Sequence, residues 1–160
     1  MKTAGSVIQK LDRVDRNLVS LLQKDGRMPI VAIAKKLGIS ETTARSRLKR
    51  LITDEVIKVV AVSNPIRLGF EIIGNIKLSI DLKKKDRILQ ALKQIEALNY
   101  VALTTGGNDI DIDFIAGSLS EFKTLVFENV SQIDGVNSVE TSLIVELIKN
   151  TWDYGTAWDG

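Results

Sequence analysis

The chain has 160 residues, 44% hydrophobic and 26% charged, values near those of soluble globular proteins, so a packed core is expected in one ordinary domain or two small ones. It holds neither cysteine nor histidine, which excludes disulfide frameworks, thiolate nucleophiles, Ser-His-Asp sites and metal centres built on sulfur or imidazole. The net charge of +2 hides a division: residues 1–60 carry 13 Lys+Arg against 6 Asp+Glu, whereas residues 61–160 carry 9 against 14.

A basic first part on an otherwise acidic chain is what phosphate binding by one module would require. Lysine-rich solvated helices would give the same excess, so the motifs must decide. No apolar run approaches the roughly 18–20 residues that cross a bilayer, and the start MKTAGSVIQKLDR lacks the apolar stretch of a signal peptide. A cytoplasmic protein with no membrane partner is expected.

Leu11, Val14, Leu18, Leu21 and Leu22 recur at helical spacing, with Asp12 and Asp15 near the end where the helix dipole favours negative charge. This predicts a first helix ending near Asp25-Gly26. Pro29 suits a first helical turn and opens a short second helix, with Ile30, Ile33, Ala34 and Leu37 on one stripe. Gly38 stops it, and Ser40 is placed to cap a third helix over about residues 41–54, whose buried side is Ala44, Leu48, Leu51 and Ile52.

Two helices joined at a glycine, the second with an inward alanine and a basic outer face, read as a helix-turn-helix. Its partner is double-stranded DNA. Thr42, Thr43, Arg45 and Ser46, near the start of the third helix, are the candidates for base edges, and Lys49 and Arg50 for phosphates. Arg47 either reaches the DNA backbone or pairs with an acid of the first helix such as Asp15.

Residues 56–62 are rich in β-branched side chains and predict a strand that completes a DNA-binding domain over 1–62, with a hinge at 63–70. From residue 71 alternation takes over. Strands are predicted at 72–80, 100–105, 110–116 and 136–148, and helices at about 85–98 and 119–130, with the turn Gly106-Gly107-Asn108 joining the middle strands. The order strand, helix, strand, strand, helix, strand is the ferredoxin-like arrangement of an α+β domain over 71–150, with both helices on one face of the sheet. The first strand has Ile73 on the open face and the last is apolar on both sides, so a second subunit is expected to cover that face.

Asp109, Asp111 and Asp113 alternate with Ile110, Ile112 and Phe114, putting three carboxylates on one face. That is either a hydrated strand end, a cation site, or a partner for a ligand's ammonium group. A carboxylate- or metal-dependent enzyme built on these acids is one competing function. A low-specificity DNA-compacting protein is another.

The stretches LDRVDRNLVSLLQKDGR, IAKKLGISETTARSRLKRL, GGND and GVNSVETSLIVELIK together resemble the leucine-responsive/asparagine-regulator (Lrp/AsnC) family of transcription regulators. The resemblance covers nearly the whole chain. It implies a winged-type helix-turn-helix, a hinge strand, a RAM or ACT-like effector domain forming homodimers and often octamers, and no catalytic or metal-binding residues. It further implies no cofactor but an effector, an amino acid or sometimes another metabolite, bound between dimers. The family's effector-responsive positions fall on Leu103, Gly106, Asp109, Leu119, Ser142, Leu143 and Ile144, and Asp111 and Asn108 stand beside them. Asn108 replaces the aromatic or histidine common in the family, which favours a polar effector such as glutamine or asparagine. Glu55 replaces the usual glycine after the third helix. The tail at 151–160, with three aromatics, either covers a subunit interface or packs on its own domain.

Overall fold

A computed structural model describes residues 11–149, and the aromatic tail lies outside the described residues. Two compact units divide residues 11–62 from 63–148.

The first unit is three helices: α1 (Arg13–Lys24), α2 (Ile30–Leu37) and α3 (Glu41–Thr53). Each start and stop has a local cause. Asp12 caps α1 by accepting the Asp15 N–H at 2.8 Å, and the Asp15 carboxylate accepts the Asp12 N–H in return, a reciprocal capping box. Pro29 stands one position earlier than the sequence suggested, at the cap of α2 rather than inside it. Gly38 ends α2 at φ 65°, in the left-handed region. Ser40 then caps α3 through the Thr43 N–H.

Leu18 and Val19 of α1, Ile33 of α2 and Leu51 of α3 form the core, with Leu48 packed against it. Ile52 does not join it. One residue on from Leu51 is a 100° rotation, and Ile52 is left 45% exposed.

α3 closes through paired backbone bonds from the Glu55 N–H to the Ile52 carbonyl and the Val56 N–H to the Leu51 carbonyl. This Schellman geometry needs a left-handed residue, and Glu55 supplies it at φ 56°. The strand expected at 56–62 does not form. Val56 and Ile57 pack on the helical core, but Val59, Val60 and Val62 are exposed. A strand needs a ladder partner, and none of the four strands of the described residues pairs with this segment.

The second unit contains β1 (Ile72–Ile80), α4 (Lys85–Leu92), β2 (Leu98–Leu103), β3 (Ile110–Ala116), α5 (Leu119–Lys123) and β4 (Val136–Leu143). Their antiparallel order is β2-β3-β1-β4, the expected ferredoxin-like sheet. Residues 124–130 follow α5 as a wider π-helical turn instead of continuing the α-helix. β4 stops at Leu143, not at 148, because its partner runs out: β1 begins at Ile72, and the last link is the Ile144 N–H to the Ile73 carbonyl.

Alternation puts Ile76, Leu78 and Ile80 of β1 and Ile110, Ile112 and Phe114 of β3 on one face, buried against Ile88 and Leu92 of α4 and Leu125, Val126 and Val130. Each such side chain stabilises by about 1.5–3 kcal/mol when fully buried. Phe114 stacks on Phe122 at 5.4 Å between ring centroids. Gly74 is required opposite them, since a Cβ there would meet the Ser142 carbonyl oxygen at 2.3 Å and the Phe114 ring at 2.9 Å.

The opposite face differs from the apolar surface expected. Its central rows run Ser142, Asn75, Asp113, Tyr100 and Glu140, Lys77, Asp111, Ala102. Only the row Ile144, Ile73, Ile115 at one end is apolar. Alternation on β1 sends its hydrophobic residues to the helices and leaves Asn75, Lys77 and Ser79 outward.

Candidate functional site

The outward face of α3 carries Thr42, Thr43, Arg45, Ser46, Lys49 and Arg50, all exposed, while Arg47 is half-buried. Ala44 and Leu51 fix that orientation by occupying the inner side completely. The four cations of the helix behave differently. Arg45 and Lys49, one turn apart, make no ion pair or hydrogen bond among the described residues. Arg47 and Arg50 are bound to α1: Arg47 Nη1 donates to Asp12 Oδ2 at 2.6 Å and to Asp15 Oδ1 at 2.8 Å, and Arg50 Nη2 donates to Asp15 Oδ2 at 2.5 Å.

Of the two roles the sequence left open for Arg47, pairing with helix 1 is present in the structure. Sequence reasoning missed the second arm, Arg50 on Asp15, and the part of Asp12. The signal was the matched spacing: Asp12 and Asp15, like Arg47 and Arg50, are three apart and share one helix face. The Asp15 backbone N–H and then Arg47 hold the Asp12 carboxyl below its ordinary pKa, and Asp15 followed by Asp12 raise that of Arg47. A cleft of about 450 Å³ lies over this network, lined by Asp12, Thr42, Thr43, Ser46, Arg47 and Arg50.

The residues expected to hold an effector fall into two groups at opposite ends of the sheet. Leu103, Gly106, Asn108, Asp109 and Asp111 lie on and around the β2–β3 turn. Leu119, Ser142, Leu143 and Ile144 lie at the other end, where Leu143 faces Gly74. Leu103, Leu119 and Leu143 are about half exposed. Gly106 turns the chain at φ 128°, and the Thr104 hydroxyl donates to the Asn108 carbonyl at 2.9 Å. Ile144 also lines a cleft of about 690 Å³ with Ile66, Phe70, Ile73 and Leu147.

The three aspartates have separate partners. Asp109 Oδ2 accepts the Ile80 N–H at 2.8 Å, Asp113 accepts from the Asn75 side chain, and Asp111 stands across from Lys77. Among the described residues no three acids are gathered to hold a metal. Nor is any described helix long and apolar enough to cross a membrane.

Comparison with known proteins decides between these readings. Residues 11–52 match the AsnC-type helix-turn-helix domain and residues 75–153 the Lrp/AsnC ligand binding domain. An HTH-type transcriptional regulator of Pyrococcus abyssi is 32% identical over 155 residues, covering 96% of this chain and 97% of that protein. The chain belongs to the Lrp/AsnC family of transcription regulators.

As a member of that family it is a regulator and not an enzyme. The leucine-responsive regulatory protein of Salmonella typhimurium is 28% identical over 145 residues, 88% of each chain. The Lrp/AsnC fold also matches the Neisseria meningitidis transcriptional regulator NMB0573 solved with L-Met, with a TM-score of 0.81 and 20% identity over 89% of this chain and 95% of that one. The α+β architecture described above is thus that of the family, with a helix-turn-helix followed by a ligand-binding domain.

Proposed function

We propose that this Lrp/AsnC regulator binds double-stranded DNA sequence-specifically through α3, with Thr42, Thr43, Arg45 and Ser46 at base edges and Lys49 at a phosphate. The observation that carries this reading is the exposed stripe of unengaged cations, Arg45 and Lys49, flanked by three hydroxyl side chains on a helix whose opposite side is buried. Such a face supplies both the sequence-independent attraction to phosphates and the short polar groups that discriminate bases. The protein acts in the cytoplasm, on the nucleoid, as a homodimer that assembles further, to an octamer.

The second part of the reading is that a small effector, an amino acid, binds the C-terminal unit and changes assembly or DNA affinity. Support comes from the match to a ligand binding domain and from the L-Met bound to the Neisseria regulator of the same fold. Asn108, beside the Gly106-Gly107 turn, offers a carboxamide that pairs with another carboxamide, which favours glutamine or asparagine.

Two measurements test this. Competition between a selected sequence and random DNA distinguishes a specific regulator from a compacting protein, whose preference would be only about two- to threefold against the ~10³ or more of specific binders. A thermal-shift screen of the twenty amino acids finds the effector, since a ligand at 100 times its Kd adds about 2.7 kcal/mol to a state it alone binds. A hit that leaves DNA binding and assembly unchanged refutes the sensing role.

A further inference from the structure

We infer that Asp15, with Asp12, is a specificity-determining residue of the DNA-binding unit, which withholds Arg47 and Arg50 from the phosphate backbone by binding them to α1. The inference rests on the placement of α3 against DNA proposed above.

Asp15 is the one buried charged side chain among the described residues, at 1% exposure. Both its oxygens are occupied by guanidinium groups, Oδ1 by Arg47 and Oδ2 by Arg50. A buried carboxylate stripped of its partner is strongly disfavoured because nothing repays its lost hydration. A phosphate approaching α3 would therefore have to compete with a carboxylate that has no water to fall back on. Arg50 is nearly half exposed on its outer side, so it is the bond to Asp15, and not burial, that restrains it.

The charges of this corner cancel, two carboxylates against two guanidiniums. Arg45 and Lys49, the two cations of α3 that make no ion pair among the described residues, are left along one stripe of the helix. The consequence concerns specificity. Phosphate contacts attract every sequence equally, so two arginines fewer on the backbone lower affinity for random DNA while contacts to base edges are kept. The same clamp ties α3 to α1 and so fixes the angle at which Thr42, Thr43 and Ser46 are presented.

The test is the salt dependence of binding to a duplex of random sequence by the full-length chain, read by fluorescence anisotropy. Each phosphate contact contributes about 0.9 to the slope of log K against log salt. Arg50→Gln should leave the slope, which counts phosphate contacts, as in the unaltered protein, and Lys49→Gln should flatten it by about 0.9. Asp15→Asn should steepen the slope by about 0.9 and raise affinity for random DNA about eightfold at 0.1 M salt. Adding Arg50→Gln to Asp15→Asn should restore the original slope, a reversal that a merely structural role of Asp15 would not produce.

If Asp15→Asn does not fold, the comparison of the two single α3 variants still decides. Flattening by Arg50→Gln equal to that by Lys49→Gln overturns the inference and leaves the DNA-binding reading intact. A slope that neither variant moves shows that Lys49 meets no phosphate, and the inference falls with the placement of α3 on the backbone proposed above.

Discussion

Glu55 is the one described residue outside glycine whose backbone takes a positive φ. The Schellman bonds after α3 fix that conformation, and a side chain there costs roughly 1 kcal/mol that glycine avoids. Glu55→Gly should stabilise the N-terminal unit by up to about 0.5 kcal/mol, the relief of strain being partly offset by the freedom glycine gains in the unfolded chain. A rise in the thermal midpoint with DNA binding unchanged is the expected outcome. A fall would mean that the Glu55 side chain contributes an interaction of its own.

Asp12 provides a second residue-scale prediction, through pH. Its folded pKa is depressed, first by the Asp15 N–H and then by Arg47. A depressed carboxyl contributes stability that is present above the unfolded value of about 3.9 and is lost as pH falls through the folded value. Its side chain is 52% exposed, so the effect is small and screened by salt. Asp12→Asn keeps a good N-cap but removes the titration. The gap in thermal midpoint between the original protein and this variant should therefore narrow from pH 6 to about pH 3. A gap that is constant with pH excludes Asp12 as a source of acid sensitivity.

At the scale of elements, α3 concentrates what DNA recognition needs, and Arg45 is its sharpest test. It lies in the first half of the helix, exposed and without a partner in the described chain. A bidentate contact from it to guanine would make Arg45→Ala cost about 1–3 kcal/mol and relax preference at one base pair, whereas a phosphate contact would weaken all sequences alike. Binding to a panel of singly altered sites separates the two.

Elements with local causes were legible in the sequence. α1 to α3 follow from their caps and apolar stripes, and β1 and β3 from alternation; their bounds in the structure lie within a residue or two of those read from sequence. What was not legible depended on partners distant in the chain. Residues 56–62 have the composition of a strand, but composition cannot supply a ladder. β4 was read five residues too long because its length is set by where β1 begins. The polar open face was masked by judging β4 alone, since its outward rows are decided by registration with Asn75 and Lys77. Within the candidate site the exposed face of α3 followed from periodicity. The Arg47–Asp15 pairing was one of two readings, and the matched spacing of Asp12 and Asp15 with Arg47 and Arg50 hinted at a second arm, but the burial of Asp15 depends on how α3 lies against α1.

For the whole molecule, the separation of the two groups of residues proposed to hold the effector limits how one ligand could touch both. Leu103 and Leu143 stand at opposite ends of β2 and β4, the two edges of the sheet. Four register steps along the strands and three strand spacings across them put the two about 20 Å apart. No single amino acid reaches across that distance. If both groups respond to one effector molecule, they come from different copies, and the exposed Leu103, Leu119 and Leu143 are the surfaces that meet. Binding then requires assembly, and by linkage the ligand must favour the assembled form to the same extent. The apparent affinity for the amino acid found in the thermal-shift screen should weaken as the protein is diluted, in step with dissociation followed by light scattering. An affinity that is unchanged in the dissociated protein would place the effector wholly within one end of a single sheet, and would remove one of the two groups from the site.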